Sequence, residues 1–244
     1  MNLVIDIGNT RTKAAVFDHS EMIEEYAVKC SPVALAEEIT GKFPDIHSAI
    51  VSSVNDSDAD LISLIGKKVN HLIEIDASTP IPIKNLYQTP WTLGKDRLAA
   101  LVGAYSLFPG SNILIIDAGT AITCDFLGAD KQYSGGNISP GMEMRFKALN
   151  SFTGRLPRET ATEVFPDIGF DTKTAIISGV IKGILFEMKG YIGEFSKKYK
   201  GLKIILTGGD ANFFVKKLKR TIFVIPNLTL TGLNYILQFN EKTD

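Results

Sequence analysis

The sequence is poor in the residues that most often carry metal and redox chemistry. Its three histidines, His19, His47 and His71, are scattered, and none stands in an HxxH or HExxH arrangement, which argues against a histidine ligand cluster. The two cysteines, Cys30 and Cys124, form no metal-binding spacing, and so few thiols point to a reducing, cytoplasmic compartment. There is no secretory h-region and no apolar run long enough to span a bilayer, so neither export nor membrane association is expected. No GxGxxG follows the apolar runs at Val4 or Ile115, which weakens a dinucleotide-binding reading. Formal net charge is −1 with no long basic run, so nucleic acid is not indicated as a partner. What is there is ordinary globular material. The chain has 244 residues, 45% hydrophobic and 22% charged, enough for one large domain or two small ones with cores of their own.

The most informative stretch runs from Asn112 to Leu127, N-I-L-I-I-D-A-G-T-A-I-T-C-D-F-L. Ile113 to Ile116 reads as a buried strand, since β-branched and aliphatic side chains suit a covered pleated surface. It delivers Asp117 into a Gly-Thr turn, and Ile122 to Leu127 reads as the returning strand. A carboxylate at a strand end beside a glycine and a hydroxyl fits a metal-assisted phosphate site. Gly119 lets backbone N–H groups approach an anion, and Asp117 can hold a cation directly or through water. Taken alone, the same residues also fit an ordinary hairpin with an Asx-type turn.

An echo at the N-terminus favours the phosphate site. Leu3 to Lys13 reads L-V-I-D-I-G-N-T-R-T-K, and without gaps Asp6 matches Asp117, Gly8 matches Gly119 and Thr12 matches Thr123. Two such hairpins, each with a return strand, imply a duplication whose carboxylates face one another across a cleft. Met22 to Val28, Ala49 to Val54 and Leu72 to Ile75 are expected strands, with helices opening at Ser31-Pro32 and at Ala59. That order suits an actin-like half-domain better than a Rossmann unit.

Pro80 to Pro90 reads as a proline-punctuated loop, and from Lys95 the spacing of Leu98, Leu101, Val102 and Tyr105 predicts a helix. Asp96 and Arg97 then occupy its first turn. Asp96 either complements the helix dipole or serves chemistry, and the residues alone leave both open. Tyr133 to Pro140 (Y-S-G-G-N-I-S-P) reads as a turn or as a wall of a substrate pocket, before a helix at Glu143 to Asn150. A long helix is expected over Lys173 to Tyr199, where Gly179 and Gly183 suggest close helix packing, within the chain or across a dimer interface. Lys203 to Leu206 enters T-G-G-D, whose Gly208-Gly209 could let an adenine and ribose lie on bare backbone or could form a plain strand-to-helix turn. The K-K-L-K-R run from Lys216 to Arg220 reads as a solvated helix face, and a last helix runs from Leu228 to Phe239.

In order, D-I-G-N-T at Asp6, Y-x-x-P-x-x-L-G-K-D-R from Tyr87 to Arg97, D-A-G-T-A at Asp117, G-G-N-I-S-P-G from Gly135 and the L-P pair at Leu156 resemble type III pantothenate kinase. That family belongs to the acetate and sugar kinase/actin superfamily, and the resemblance covers nearly the whole chain. It implies an α/β protein of duplicated actin-like (ribonuclease H-like) fold, with half-domains at 1–111 and 112–244 and the last helix free to pack back on the first. It implies phosphorylation of the terminal hydroxyl of pantothenate by ATP, the first step toward coenzyme A. By resemblance, Asp6, Ile7, Gly8, Asn9, Thr10, Arg11, Thr12 and Lys13 form the first phosphate-binding segment, and Thr120 contacts the nucleotide. Asp117 holds the monovalent cation, potassium or ammonium, and Mg²⁺ accompanies the ATP. Tyr87, Gly94, Lys95, Asp96 and Arg97 bind pantothenate, with Asp96 as general base. Thr172 falls where the family places a substrate-contacting threonine from the partner of a homodimer. Asp171 departs from the asparagine usual before it. Two alternatives share the scaffold: a kinase of another small hydroxy acid, and a nucleotide-binding regulator without catalysis, as some relatives have been described.

Overall fold

Residues Asn2–Ile7 (β1) carry apolar side chains on both faces, as a strand covered on both sides must. In the computed structural model, which describes residues 1–8, 11–29, 31–53 and 59–242, β1 is the centre of a five-stranded sheet. β2 (Thr12–Asp18) returns antiparallel beside it, and β3 (Glu21–Val28) pairs antiparallel with β2 at the edge. Helix α1 (Pro32–Lys42), with its proline in the first turn, leads to β4 (Ser48–Ser53), parallel to β1. Helix α2 (Ala59–Gly66) leads to β5 (His71–Glu74), parallel to β4.

After β6 (Lys84–Asn85), a 3₁₀ turn at Pro90–Thr92 and α3 (Lys95–Leu107), the pattern recurs. β7 (Ile113–Ala118), β8 (Ala121–Leu127) and β9 (Gln132–Pro140) precede α4 (Met142–Ser151) and α5 (Thr172–Lys198). Then come β10 (Lys203–Thr207), α6 (Ala211–Leu218), β11 (Phe223–Val224) and α7 (Leu228–Glu241). The orders β3-β2-β1-β4-β5 and β9-β8-β7-β10-β11 are one pattern twice, with the third and fourth members parallel in each. This is the duplicated α/β fold that the echo implied.

The chain divides into two compact units. The first comprises Met1–Pro109, Lys131–Tyr133 and Asn227–Asp244; the second comprises Gly110–Asp130 and Ser134–Pro226. In the first, Leu3, Ile5, Val16 and Val51 meet Leu35, Ile39, Leu61 and Ile65 of α1 and α2 in one core. Helix α7 packs on α3 and against β1, β2 and β4. A buried amide chain anchors it, with Asn2 Nδ2 donating to Asn234 Oδ1 and Asn234 Nδ2 to the His19 carbonyl. In the second unit, Leu114, Ile116 and Leu206 of the sheet pack with Phe146, Phe214 and the apolar stripe Ile177, Ile181, Ile184 and Met188 of α5. Among the described residues, no helix is long and apolar enough to cross a membrane.

Three details differ from the sequence reading. Tyr133 to Pro140 is not a turn but most of strand β9. Its glycines serve contact: a Cβ at Gly136 would stand 2.2 Å from Asp125 Oδ1 and 2.4 Å from the Cys124 carbonyl oxygen of β8. The ungapped echo also slips by one residue after the turn. Asp6 pairs with Lys13 and Ile7 with Thr12, but Asp117 pairs with Thr123, so Thr12 and Thr123 hold different places in their hairpins.

The third detail is where helices touch through glycine. Beyond its own stretch of helix, no heavy atom of the described residues lies within 4 Å of a Cβ built at Gly179, and only Arg145 Nη1, at 3.7 Å, is that near at Gly183. Within the chain, helices touch through Gly103 and Gly232, on α3 and α7. A Cβ at Gly232 would fall 1.8 Å from the Ala99 carbonyl oxygen, and one at Gly103 would fall 2.4 Å from that of Leu228. Backbone against backbone leaves no flexible atom to yield. Gly232→Ala is therefore expected to cost about 3 kcal/mol of folding free energy or more, the upper range for overpacking. Urea unfolding would show it, and a loss within the error of the measurement would remove the close-packing account.

Candidate active site

Asp6 sits near the end of β1, with Lys13 opposite on β2 and Ser52 opposite on β4. The carboxyl is pushed up to about 6, first by burial and then by the negative charge of Asp96, while the Ser52 hydroxyl and the Lys13 ammonium pull the other way. The Asp96 carboxylate at the opening of α3 is thus one of the charges that Asp6 feels. Past Asp6, Gly8 N–H donates to the Arg11 carbonyl at 3.2 Å. Ile7 is partly buried, Arg11 is exposed and Thr12 is buried. Asn9 and Thr10, assigned with them, lie outside the described residues.

At α3, Gly94 is the N-cap and Asp96 and Arg97 fill the first turn. Asp96 Oδ1 accepts from the Arg97 backbone N–H at 2.8 Å. Gly94 is required by contact, because a Cβ there would come within 2.4 Å of that same Asp96 oxygen. Lys95 stands beside it, partly buried. The arginine is itself only 6% exposed. Its Nη2 donates to the Tyr133 hydroxyl at 2.8 Å, and its guanidinium carbon lies 5.7 Å from the Tyr87 ring centroid. A buried guanidinium presents a planar fork of donors suited to one carboxylate.

The other assigned residues belong to the second unit. Asp117 ends β7 as Asp6 ends β1, and its partner across the parallel pair is Thr207 where Asp6 has Ser52. Gly208, at φ +90°, is the close neighbour: a Cβ there would meet Asp117 Oδ1 at 2.3 Å and the Ala118 carbonyl oxygen at 2.5 Å. The bare backbone of T-G-G-D thus serves the approach to Asp117 at Gly208. Gly209 has open space, with nothing within 4 Å of a Cβ. Thr120 is exposed at the tip of the second hairpin, where its carbonyl accepts from Gly141 N–H at 3.0 Å. Gly141 closes the G-G-N-I-S-P-G run, and its local sequence gives no sign of this contact. A Cβ on it would strike the Gly119 and Thr120 carbonyl oxygens at 2.2 and 2.4 Å.

Thr172 is the exposed first residue of α5. Asp171 before it is the N-cap: its carboxylate accepts from Thr174 N–H at 2.7 Å, closing a capping box. Asparagine and aspartate cap equally well, so the departure at this position leaves the helix start intact.

The oxygen-rich surroundings fit the expected cations. Around Asp117, the carboxylate and the Ala118 carbonyl oxygen converge on the bare Gly208, a donor set suited to a large monovalent ion. At Asp6, a carboxylate whose charge is disfavoured by burial gains most from a hydrated divalent ion carried by phosphates. No group of three or more carboxylate, histidine or cysteine side chains forms a metal cage among the described residues.

Comparison with known proteins gives a consistent result. A family model described as type III pantothenate kinase matches residues 2–194. The type III pantothenate kinase of Bacteroides fragilis is 48% identical over 241 residues, covering 99% of each chain. That of Phocaeicola vulgatus is 46% identical over 247 residues, covering 99% of this chain and 100% of its own. Among solved structures, a Baf family protein from Campylobacter jejuni, described as a candidate transcriptional activator, superposes with a TM-score of 0.63 at 23% identity, covering 98% of this chain and 99% of its own. A ROK family glucokinase from Streptomyces griseus in complex with glucose and AMPPNP superposes at 0.52 and 10% identity, covering 98% and 99%. At such identities the structures speak for the fold alone, an actin-like sugar-kinase architecture with two half-domains. With the family model over most of its length and relatives near half-identical from end to end, the chain belongs to the type III pantothenate kinase family.

Proposed function

We propose that Asp96 is the general base for transfer of the ATP γ-phosphoryl group to the terminal hydroxyl of pantothenate, with Arg97 and Tyr87 holding that substrate. The observation that supports this reading is the opening of α3, where Asp96 stands in the first turn next to the buried Arg97, whose guanidinium meets the Tyr133 hydroxyl and the Tyr87 ring. Phosphoryl transfer needs positioning and charge stabilisation more than covalent help. Mg²⁺, when bound with ATP, would neutralise phosphate charge, and Asp6 is the residue that would hold it, through water. Residues Asp6 to Lys13 cradle the phosphates, and Thr120 meets the nucleotide from the second hairpin. Asp117 with the Ala118 carbonyl holds potassium or ammonium. In a loose transition state the hydroxyl proton leaves late, so orienting the hydroxyl is the first task of Asp96.

The same reading makes the protein a cytoplasmic homodimer in which Thr172 reaches the partner's pantothenate. Its support is the apolar surface of the second unit: Phe152, Val164, Ile168 and Phe170 are each more than four-fifths exposed, and Phe186 and Ile138 more than three-fifths. Large apolar side chains so exposed are suited to association when they lie side by side. Sedimentation at micromolar concentration should give a dimer, and a fully active monomer would defeat both the interface and the shared site.

The deciding assay follows ATP consumption with pantothenate against a panel of small hydroxy acids, with and without potassium. Turnover confined to pantothenate and raised by potassium is the expected result. Equal turnover of another hydroxy acid would favour the broader kinase, and ATP binding without turnover would favour a regulator.

A further inference from the structure

Tyr133 opens the stretch read as a turn or a pocket wall but carries no role of its own in the family motifs, yet two side chains assigned to the substrate meet on it. It is fully buried, at 0% exposure, in the first residues of β9. Its hydroxyl accepts from Arg97 Nη2 at 2.8 Å. Its ring stacks on that of Tyr87, with centroids 6.1 Å apart and planes within 10° of parallel. Its backbone is tied in as well: the carbonyl accepts from Leu86 N–H at 2.8 Å, beside the parallel pairing of Asn85 with Tyr133. Asn85 Oδ1 in turn accepts from Tyr87 N–H at 3.0 Å. All of these residues belong to the first unit.

We propose that Tyr133 is a positioning residue for pantothenate recognition, fixing the Arg97 guanidinium and the Tyr87 ring in the arrangement that receives the substrate carboxylate. The inference rests on the reading that Arg97 binds that carboxylate. An arginine side chain carries large rotamer freedom, and freezing it during binding weakens affinity. A phenol hydroxyl held by a packed ring removes that freedom before the substrate arrives. Phenylalanine would fill the same space and stack equally on Tyr87, so the hydroxyl is the part that can be tested by itself.

The test compares Tyr133→Phe, Arg97→Lys and the unaltered chain on two probes. One is pantothenate; the other is its alcohol analogue, in which CH₂OH replaces the carboxylate, its affinity read as KM or as a competitive inhibition constant. Tyr133→Phe is expected to raise the KM for pantothenate about tenfold, the effect of one hydrogen bond to a charged group. Its kcat, its KM for ATP and its affinity for the alcohol analogue should stay near those of the unaltered protein. An equal loss on both probes, or none on either, would show the hydroxyl to be structural or idle and overturn the proposal. Arg97→Lys separates the two levels of inference. If it discriminates between the probes and Tyr133→Phe does not, the positioning role falls and the carboxylate reading stands. If Arg97→Lys treats both probes alike, the carboxylate reading falls and takes the positioning role with it.

Discussion

Asp6→Asn is expected to abolish turnover while making the unliganded protein more stable at neutral pH. Burial and the charge of Asp96 hold the Asp6 carboxyl up at about 6 from an ordinary value of 3.8. The folded state therefore keeps a proton that the unfolded chain gives up. Stability from this group is whole below the unfolded value and is lost as pH rises through about 6. Above that, the ionised carboxylate costs on the order of 2–3 kcal/mol, because each tenfold change in proton affinity between the folded and unfolded chain is worth about 1.36 kcal/mol. Asparagine carries no such charge and can still bond the Ser52 hydroxyl. Urea unfolding of the unliganded protein should show the unaltered chain losing stability between about pH 4 and pH 7, a loss that the variant lacks. The activity cost follows from the same charge, since without it nothing at this position answers a phosphate-borne Mg²⁺. A variant that kept its turnover, or was less stable at neutral pH, would refute the assignment. Both results together would mark a site where function is held at the expense of stability.

The second large effect belongs to Asp96. Asp96→Asn keeps the side-chain shape, and its amide oxygen can still accept from the Arg97 N–H that Asp96 Oδ1 now bonds. Only the proton acceptor is lost. A fall in kcat of roughly 10²–10⁴ is expected, the usual span for a general base, with ATP binding nearly unchanged. The variant should also relieve Asp6, because the Asp96 charge is one of the two effects raising its carboxyl. The pH-dependent loss of stability should then move to lower pH. Near-normal kcat would remove Asp96 from catalysis. Unchanged pH dependence with a large fall in kcat would leave the base and deny the coupling.

Much of the site was legible because its signals are local. An apolar run ending in Asp-x-Gly needs no distant partner to read as strand, carboxylate and turn, and two copies made the duplication visible. The first turn of α3 was legible in the same way, from apolar spacing after Gly94. Local reading failed wherever a glycine answered to something far along the chain. The run Tyr133 to Pro140 looks like a turn because glycine is usually a turn residue, but Gly136 is small so that β9 can lie against Asp125 of β8. Gly208 also makes room for the Asp117 carboxylate, which its local sequence does not show, and Gly232 fits α7 to the backbone of α3.

By itself, then, the sequence determined the α/β class, the duplication, the two hairpin carboxylates and the Asp96–Arg97 pair, because each is written in residues adjacent along the chain. Only the tertiary structure decided that Ser52 and Thr207 stand beside the two carboxylates, that Asp6 feels Asp96, and that Tyr133 holds Arg97. The physical reason is that these relations pass through sheet pairing and burial. Which strand lies next to which, and how much water is excluded there, are properties of the packed chain that no single stretch of it carries.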